Sequence, residues 1–186
     1  MRVVGGKKKG KKLILPLDKN TRPLKDMLKE SLFNILKHSN VLNFKIENKN
    51  ILDLFSGVGS FGIECLSRGA KKVVFFENLK KTSEILRKNI INFNYEEKSK
   101  IIEVDIYKKN SFSIFKEKFG LVFLDLPFKE NRVSELIDQI KNYKILEKNG
   151  LIILHRHVNA NDILPSYLNI LLKKKYGKSK VIFAKI

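Results

Sequence analysis

From about residue 50 onward, short apolar runs alternate with amphipathic stretches, the pattern of an α/β domain built on a mostly parallel sheet. Asn50–Phe55 predicts a first strand and Gly59–Arg68 the helix after it, with Gly69 as its C′ residue. Val73–Glu77 predicts a second strand, followed by a helix over Lys80–Phe93. Ile101–Val104 reads as a third strand ending at Asp105, and Leu121–Asp125 as a fourth, before a helix over Val133–Tyr143. Asn149-Gly150 precedes strand five, Leu151–His155. Tyr167–Leu172 and Lys180–Ala184, around Tyr176-Gly177-Lys178-Ser179, predict a closing β-hairpin.

The first 45 residues have a different character. Arg2-Val3-Val4 and Leu13-Ile14-Leu15 flank a glycine–lysine stretch, which predicts a short β-hairpin with Lys7, Lys8, Lys9, Lys11 and Lys12 at its tip. Pro23 then stands where a helix begins, with Leu24, Met27, Leu28, Leu32, Ile35 and Leu36 at helical spacing. The expected organisation is a basic extension over residues 1–45 and an α/β domain over 46–186.

Composition narrows the function classes. At 186 residues, 43% of them hydrophobic, the chain suits one domain with a real core and is not mainly disordered. No apolar run approaches the ~18 residues of a membrane span, and the N-terminus lacks a signal-peptide core. A single cysteine, Cys65, allows no internal disulfide, fits a reducing cytoplasm, and reads as a small core residue. The net charge of +19 exceeds what solubility needs; part reflects lysine-rich composition, and the rest points to a polyanionic partner.

The chemistry gathers at predicted strand ends. Gly57-Val58-Gly59-Ser60-Phe61-Gly62 matches G-x-G-x-x-G between a strand and a helix, where glycines let the backbone approach a nucleoside cofactor closely. Phe55, Ser56, Gly57 and Gly59 form that loop, and Glu77, twenty residues beyond Gly57 and followed by Asn78, is placed to accept both ribose hydroxyls. Asp53 sits where a dehydrogenase carries an apolar residue; it can reach an ammonium group but would repel a pyrophosphate. Asp105 is placed to accept from an adenine amine, with the Ile106 N–H near the ring. These features favour S-adenosylmethionine over a nicotinamide.

Asp125-Leu126-Pro127-Phe128 closes the fourth strand. A base amine is a poor nucleophile because its lone pair is delocalised. Asp125 and the Pro127 carbonyl can accept its two hydrogens in a turn stiffened by proline, while Phe128 stacks on the base. The expected catalytic residues are therefore Asp125, Pro127 and Phe128, with Asp125 also bordering the cofactor. His155 and His157 lack a third ligand at metal spacing; no metal is expected, and both read as RNA-facing or solvated side chains.

The sequence resembles the RsmD-type guanine-N2 methyltransferases of small-subunit (16S) ribosomal RNA over nearly its whole length. The stretches that carry this are Met1-Arg2-Val3-Val4-Gly5-Gly6, Thr21-Arg22-Pro23 with Asp26, Lys29-Glu30 and Leu32-Phe33-Asn34, Leu52 to Gly59, Leu66-Ser67-Arg68-Gly69-Ala70, Asp125 to Phe128, and Tyr176-Gly177-Lys178. The resemblance implies a Rossmann-like class I methyltransferase with a seven-stranded, mostly parallel sheet and a small N-terminal hairpin. It also implies S-adenosylmethionine as cofactor and one guanosine in a largely assembled small subunit as substrate. Leu126 replaces the family's first proline, Met27 and Lys29 stand where arginines are usual, and His155 where an acid is common. Arg22 and the five tip lysines are the expected RNA contacts of a monomeric cytoplasmic enzyme. Adenine-N6 methylation of DNA or RNA is the alternative within enzymes, and a non-catalytic ribosome-assembly factor the alternative outside them.

Overall fold

The computed structural model describes residues 1–16, 26–108 and 111–186. The helix start expected at Pro23, together with Arg22, lies outside the described residues. The expected alternation forms one seven-stranded sheet, in the order β3-β2-β1-β4-β5-β7-β6. Its strands are β1 (Asn50–Leu54), β2 (Lys72–Phe76), β3 (Ser99–Ile102), β4 (Phe119–Asp125), β5 (Leu146–His157), β6 (Asn169–Tyr176) and β7 (Ser179–Lys185). Strands β1 to β5 run parallel, and β7 pairs antiparallel with both β5 and β6. Helices α2 (Ser60–Ser67), α3 (Lys80–Phe93) and α4 (Val133–Asn142) cover the sheet, together with α1 (Asp26–His38) upstream. The strand order reverses between β1 and β4, which opens a crevice at the C-terminal ends of the parallel strands.

Near-continuous apolar strands are what a sheet covered on both faces requires. On one face Leu121, Phe123, Leu151, Ile153, Val181 and Phe183 pack with α1, α2 and α3. On the other, Val122, Leu124, Ile152, Leu154 and Ile182 pack with Leu136, Ile137 and Ile140 of α4. Phe33 of α1 stacks on Phe61 of α2 at 5.3 Å, and Phe61 on Phe123 of β4 at 3.8 Å. Gly62 lets α2 approach β2 closely, because a Cβ there would lie 2.3 Å from the Phe75 ring.

Three strands differ from the expected bounds in ways that bear on the site or the sheet edge. β3 stops at Ile102, so Asp105 follows the strand by three residues rather than ending it. β5 begins at Leu146, because Asn149 (φ 67°) and Gly150 form a bulge inside the strand instead of a turn before it. β6 extends through Lys173, Lys174 and Lys175, whose charges mask the strand in the sequence and are tolerated because β6 is an edge.

The N-terminal segment is a layer of the same body. Arg2 and Lys12 form an antiparallel bridge, and Val3 and Leu13 join the core shared by α1, α2 and α3. The Gly5–Lys8 tip packs on the C-terminal end of α2: Lys8 N–H donates to Ser67 Oγ (2.9 Å), and Ser67 Oγ donates to the Gly5 carbonyl (2.7 Å). Lys29 is fully buried. Its ammonium donates to the Arg2 carbonyl (2.6 Å) and to Ser60 Oγ (3.3 Å), and lies 3.8 Å from both Asp26 and Glu64. Glu64, equally buried, accepts from Arg68 Nε (2.7 Å) and Val4 N–H (2.8 Å). Lys29 is thus a structural cation fastening hairpin to helices, and burial pulls its pKa down against the lift from Glu64 and Asp26.

Candidate active site

β1 delivers Asp53 to the crevice, and the turn after it delivers the glycine loop. Asp53 is buried; its Oδ2 accepts from the Gly62 N–H at 3.0 Å, while Oδ1 has no partner among the described residues. Burial drives its pKa well up, the Gly62 N–H pulls it down, and the Asp125 and Glu77 carboxylates add to the rise. A buried carboxylate oxygen without a donor, in an acidic pocket, is a site for a cation or a protonated amine.

Glu77, just past β2, is almost fully buried. Its Oε2 accepts from Gly57 N–H (2.9 Å) and its Oε1 from Leu79 N–H (2.9 Å). Burial raises its pKa, while the N–H groups of Leu79, Gly57 and Asn78 oppose the rise. Each oxygen keeps a lone pair for a hydroxyl donor. The loop presents open space to such a ligand: Gly57 is left-handed (φ 55°), and nothing lies within 4 Å of where its Cβ would stand. Asn89 in α3 braces the loop from behind, with Nδ2 donating to the Val58 and Ile14 carbonyls (3.0 Å each) and Oδ1 accepting from Ile14 N–H (2.8 Å).

The third wall follows β3. Asp105 Oδ1 accepts from Tyr107 N–H (3.0 Å), so one oxygen caps the turn. Ile106 is buried, and the Phe55 ring sits 6.2 Å from that of Tyr107. Arg132 lies over the Tyr107 ring at 3.4 Å and pairs with Glu130 (2.9 Å), whose carboxyl it holds down to about 2. This aromatic–arginine clamp joins the segments after β3 and β4.

β4 ends at Asp125, which stands opposite His155 in the β4–β5 register. His155 Nδ1 lies 2.7 Å from Asp125 Oδ1, and Nε2 lies 2.9 Å from Ser179 Oγ. With its proton on Nδ1, His155 donates to the carboxylate and accepts from the serine, which fixes one Asp125 oxygen and leaves the other for a substrate. The expectation for the two histidines is therefore corrected. Both lie within β5; His155 belongs to the Asp125 site, and His157 meets the half-exposed Phe128 ring edge-on at 4.6 Å.

The Pro127 carbonyl also needs correction. It accepts from Glu130 N–H (3.0 Å) and from Arg156 Nη1 (2.7 Å), which fills both lone pairs. The Leu126 carbonyl has only a longer contact, 3.3 Å from the same Nη1. Arg156 is buried, pairs with buried Asp162 (2.8 Å), and donates through Nη2 to the Glu130 carbonyl. It holds the whole turn from below. Sequence reasoning missed Arg156, Asp162, Asn89 and the Tyr107–Arg132 clamp. An arginine two residues beyond the apolar run Leu151–Leu154, between two histidines, was the available signal for Arg156.

The tip lysines are not brought to this site. α2 and α3 run antiparallel to the parallel strands, so their C-terminal ends lie at the opposite edge of the sheet, and the tip sits on them. Lys11 donates to the Asn92 carbonyl at the end of α3 and lies 5.0 Å from the Phe93 ring, Lys8 is half-buried, and Lys7, Lys9 and Lys12 are exposed.

The family description that matches residues 1–185 is Conserved hypothetical protein 95. The chain belongs to this family, the RsmD family. Among its relatives, the ribosomal RNA small subunit methyltransferase D of Haemophilus influenzae is 31% identical over 95% of this chain and 89% of its own. The protein of the same name from Escherichia coli is 28% identical over 96% and 86%. A solved Escherichia coli chain described as a candidate methyltransferase superposes with a TM-score of 0.81 at 26% identity, over 99% of this chain and 96% of that one. The RsmD-family fold is thus the Rossmann-like class I methyltransferase fold, here with His155 and Arg156 engaging the tetrapeptide.

Proposed function

We propose that this chain transfers the methyl group of S-adenosylmethionine to the exocyclic N2 of a guanosine in small-subunit ribosomal RNA, working as a monomer in the cytoplasm on the subunit or an assembly intermediate. The observation that carries the reading is the Asp125 carboxylate at the sheet's switch point, with one oxygen fixed by His155 and the other left for an amine. The names of the family relatives supply the substrate class.

The residues present fit the cofactor. Asp53, whose Oδ1 lacks a partner among the described residues, would hold the methionine ammonium, Glu77 the ribose hydroxyls, and Asp105 with the Ile106 N–H the adenine edge, while Phe55 and Asn78 would line the pocket. When bound, S-adenosylmethionine supplies a methyl group already activated by its sulfonium. Asp125 and the Leu126 carbonyl hold the two amine hydrogens, turning the nitrogen lone pair toward that methyl. Phe128 stacks on the base, and Asp125 or water takes the released proton.

The direct test supplies tritiated cofactor and small subunits from a strain lacking the family enzyme, then maps the modified base. Label on a guanine N2 is expected; label on adenine N6, or none, sinks the reading. Glu77→Ala removes a charge-assisted acceptor and frees two loop N–H groups, so calorimetric affinity for S-adenosylmethionine should weaken by about 1.5–3 kcal/mol. Equal affinity in a folded variant refutes the ribose assignment. The exposed tip lysines reach RNA away from the target nucleotide. Lys7→Ala/Lys9→Ala/Lys12→Ala should flatten the salt dependence of subunit binding, and an unchanged slope makes the tip a spectator.

A further inference from the structure

The register of the sheet connects Asp125 to a second basic region. Across the catalytic edge, Asp125 stands opposite His155, His155 opposite Val181, and Val181 opposite Lys174. One pleat further, His157, Ser179 and Tyr176 form the neighbouring row. Directly opposed residues share a face, so Asp125, His155, His157, Tyr176 and Lys174 all lie on the face covered by α1. Three strand spacings of ~4.8 Å separate Asp125 from Lys174, about 14 Å in all.

At the far end of this row is a groove of about 560 Å³ between the C-terminal end of α1 and β6, lined by Asn34, Ile35, His38, Ser39, Leu172 and Lys174. Of its lining residues, Lys174 and His38 are exposed cations, and Lys178 is exposed in the turn between β6 and β7. Nearby acids are already engaged: Asp125 with His155, and Asp162 with Arg156 and Lys180. None of the ion pairs among the described residues involves Lys174, Lys178 or His38. The rim between the two ends carries rings that suit base stacking: half-exposed Phe128, His157 packed edge-on against it, and Tyr176. Rings interleaved with unpaired cations match a single-stranded nucleic-acid track, where bases stack and phosphates follow the charge.

We propose that the RNA strand flanking the target base crosses the sheet's catalytic edge from Phe128 over His157 and Tyr176, past Lys178 in the β6–β7 turn, into the α1–β6 groove at Lys174, with the two lysines neutralising its phosphates. This rests on the RNA-methylation reading above and places the substrate's path on the α1 face. It also locates the footprint near the target base at β6, on the edge away from the N-terminal tip. The competing role for lysines on an edge strand is to block edge-to-edge pairing. That role makes no demand on RNA affinity.

The test compares wild type with Lys174→Ala/Lys178→Ala, using small ribosomal subunits that lack the methyl mark. Binding is measured from low to moderate salt, alongside single-turnover transfer and calorimetric S-adenosylmethionine binding. Two lost phosphate contacts should make the slope of log affinity against log salt shallower by about 1.4–1.8. The subunit KM should rise on the order of ten-fold at low salt, with cofactor affinity unchanged and Lys174→Arg/Lys178→Arg restoring both slope and KM. Coincident slopes and equal KM values overturn the proposal. Because the slope is read from binding alone, a slope difference without any methyl transfer would refute the chemistry and keep the groove. Transfer with coincident slopes would do the reverse.

Discussion

Asp125→Ala lowers single-turnover methyl transfer by on the order of 10²–10³, the loss expected when one pre-placed hydrogen-bonding group is removed from a transition state. The effect belongs to chemistry and not to folding. Asp125 is only partly buried, and its Oδ1 partner His155 keeps a second bond to Ser179. Glu77 and Asp105 stay in place, so S-adenosylmethionine affinity changes little. Asp125→Asn should lose less. His155 can move its proton to Nε2, donate to Ser179, and accept from the new amide NH2 at Nδ1, which leaves the amide oxygen for the substrate. Rapid-quench transfer at saturating cofactor distinguishes the cases. Near-native rates in Asp125→Ala would remove Asp125 from the mechanism.

Arg156→Met produces the largest loss of stability, about 3–5 kcal/mol, because it strands a buried partner of a charge pair. The guanidinium is almost wholly buried, pairs with equally buried Asp162, and donates to three carbonyls of the segment after β4. Without it, Asp162 keeps, among the described residues, one ion-pair partner, Lys180 at 3.4 Å. Urea midpoints at constant m read the loss, and Arg156→Met/Asp162→Leu should recover much of it, since no unpaired buried charge remains. A loss below about 1 kcal/mol in the single variant would refute the bracing role. Should Arg156→Met fail to fold, Arg156→Lys provides the measurement: it keeps the charge, has too few donors to span the carbonyls, and should fall between the two.

The helices and inner strands were legible in the sequence because each follows one dominant period. α3 occupies its expected residues, and α2, α4 and β1 shift by at most a residue or so at each end. β5 and β6 were less legible, since a bulge reads locally as a turn, and an edge strand tolerates lysines that an inner strand excludes. The glycine loop, Asp53, Glu77 and Asp125 stand at or beside strand ends, where spacing alone places them together. What spacing could not give was partnership across strands. His155 meets Asp125, and Arg156 meets the Pro127 carbonyl, only through a β4–β5 register that neither segment encodes by itself. For the same reason the sequence showed Lys29 only as standing where arginine is usual, and not as the interior cation that it is.

The N-terminal hairpin has a consequence for how the chain is made. Val4 is bonded to Glu64, Lys8 to Ser67 and Ile14 to Asn89, partners 60, 59 and 75 residues downstream. The ribosome therefore releases this lysine-rich stretch long before anything exists for it to dock on. Through that interval it is a cationic tether beside the polyanionic surface of the machine producing it. It settles only when α3 has cleared the exit tunnel, and because Asn89 also holds the Val58 carbonyl, that same moment completes the support of the glycine loop.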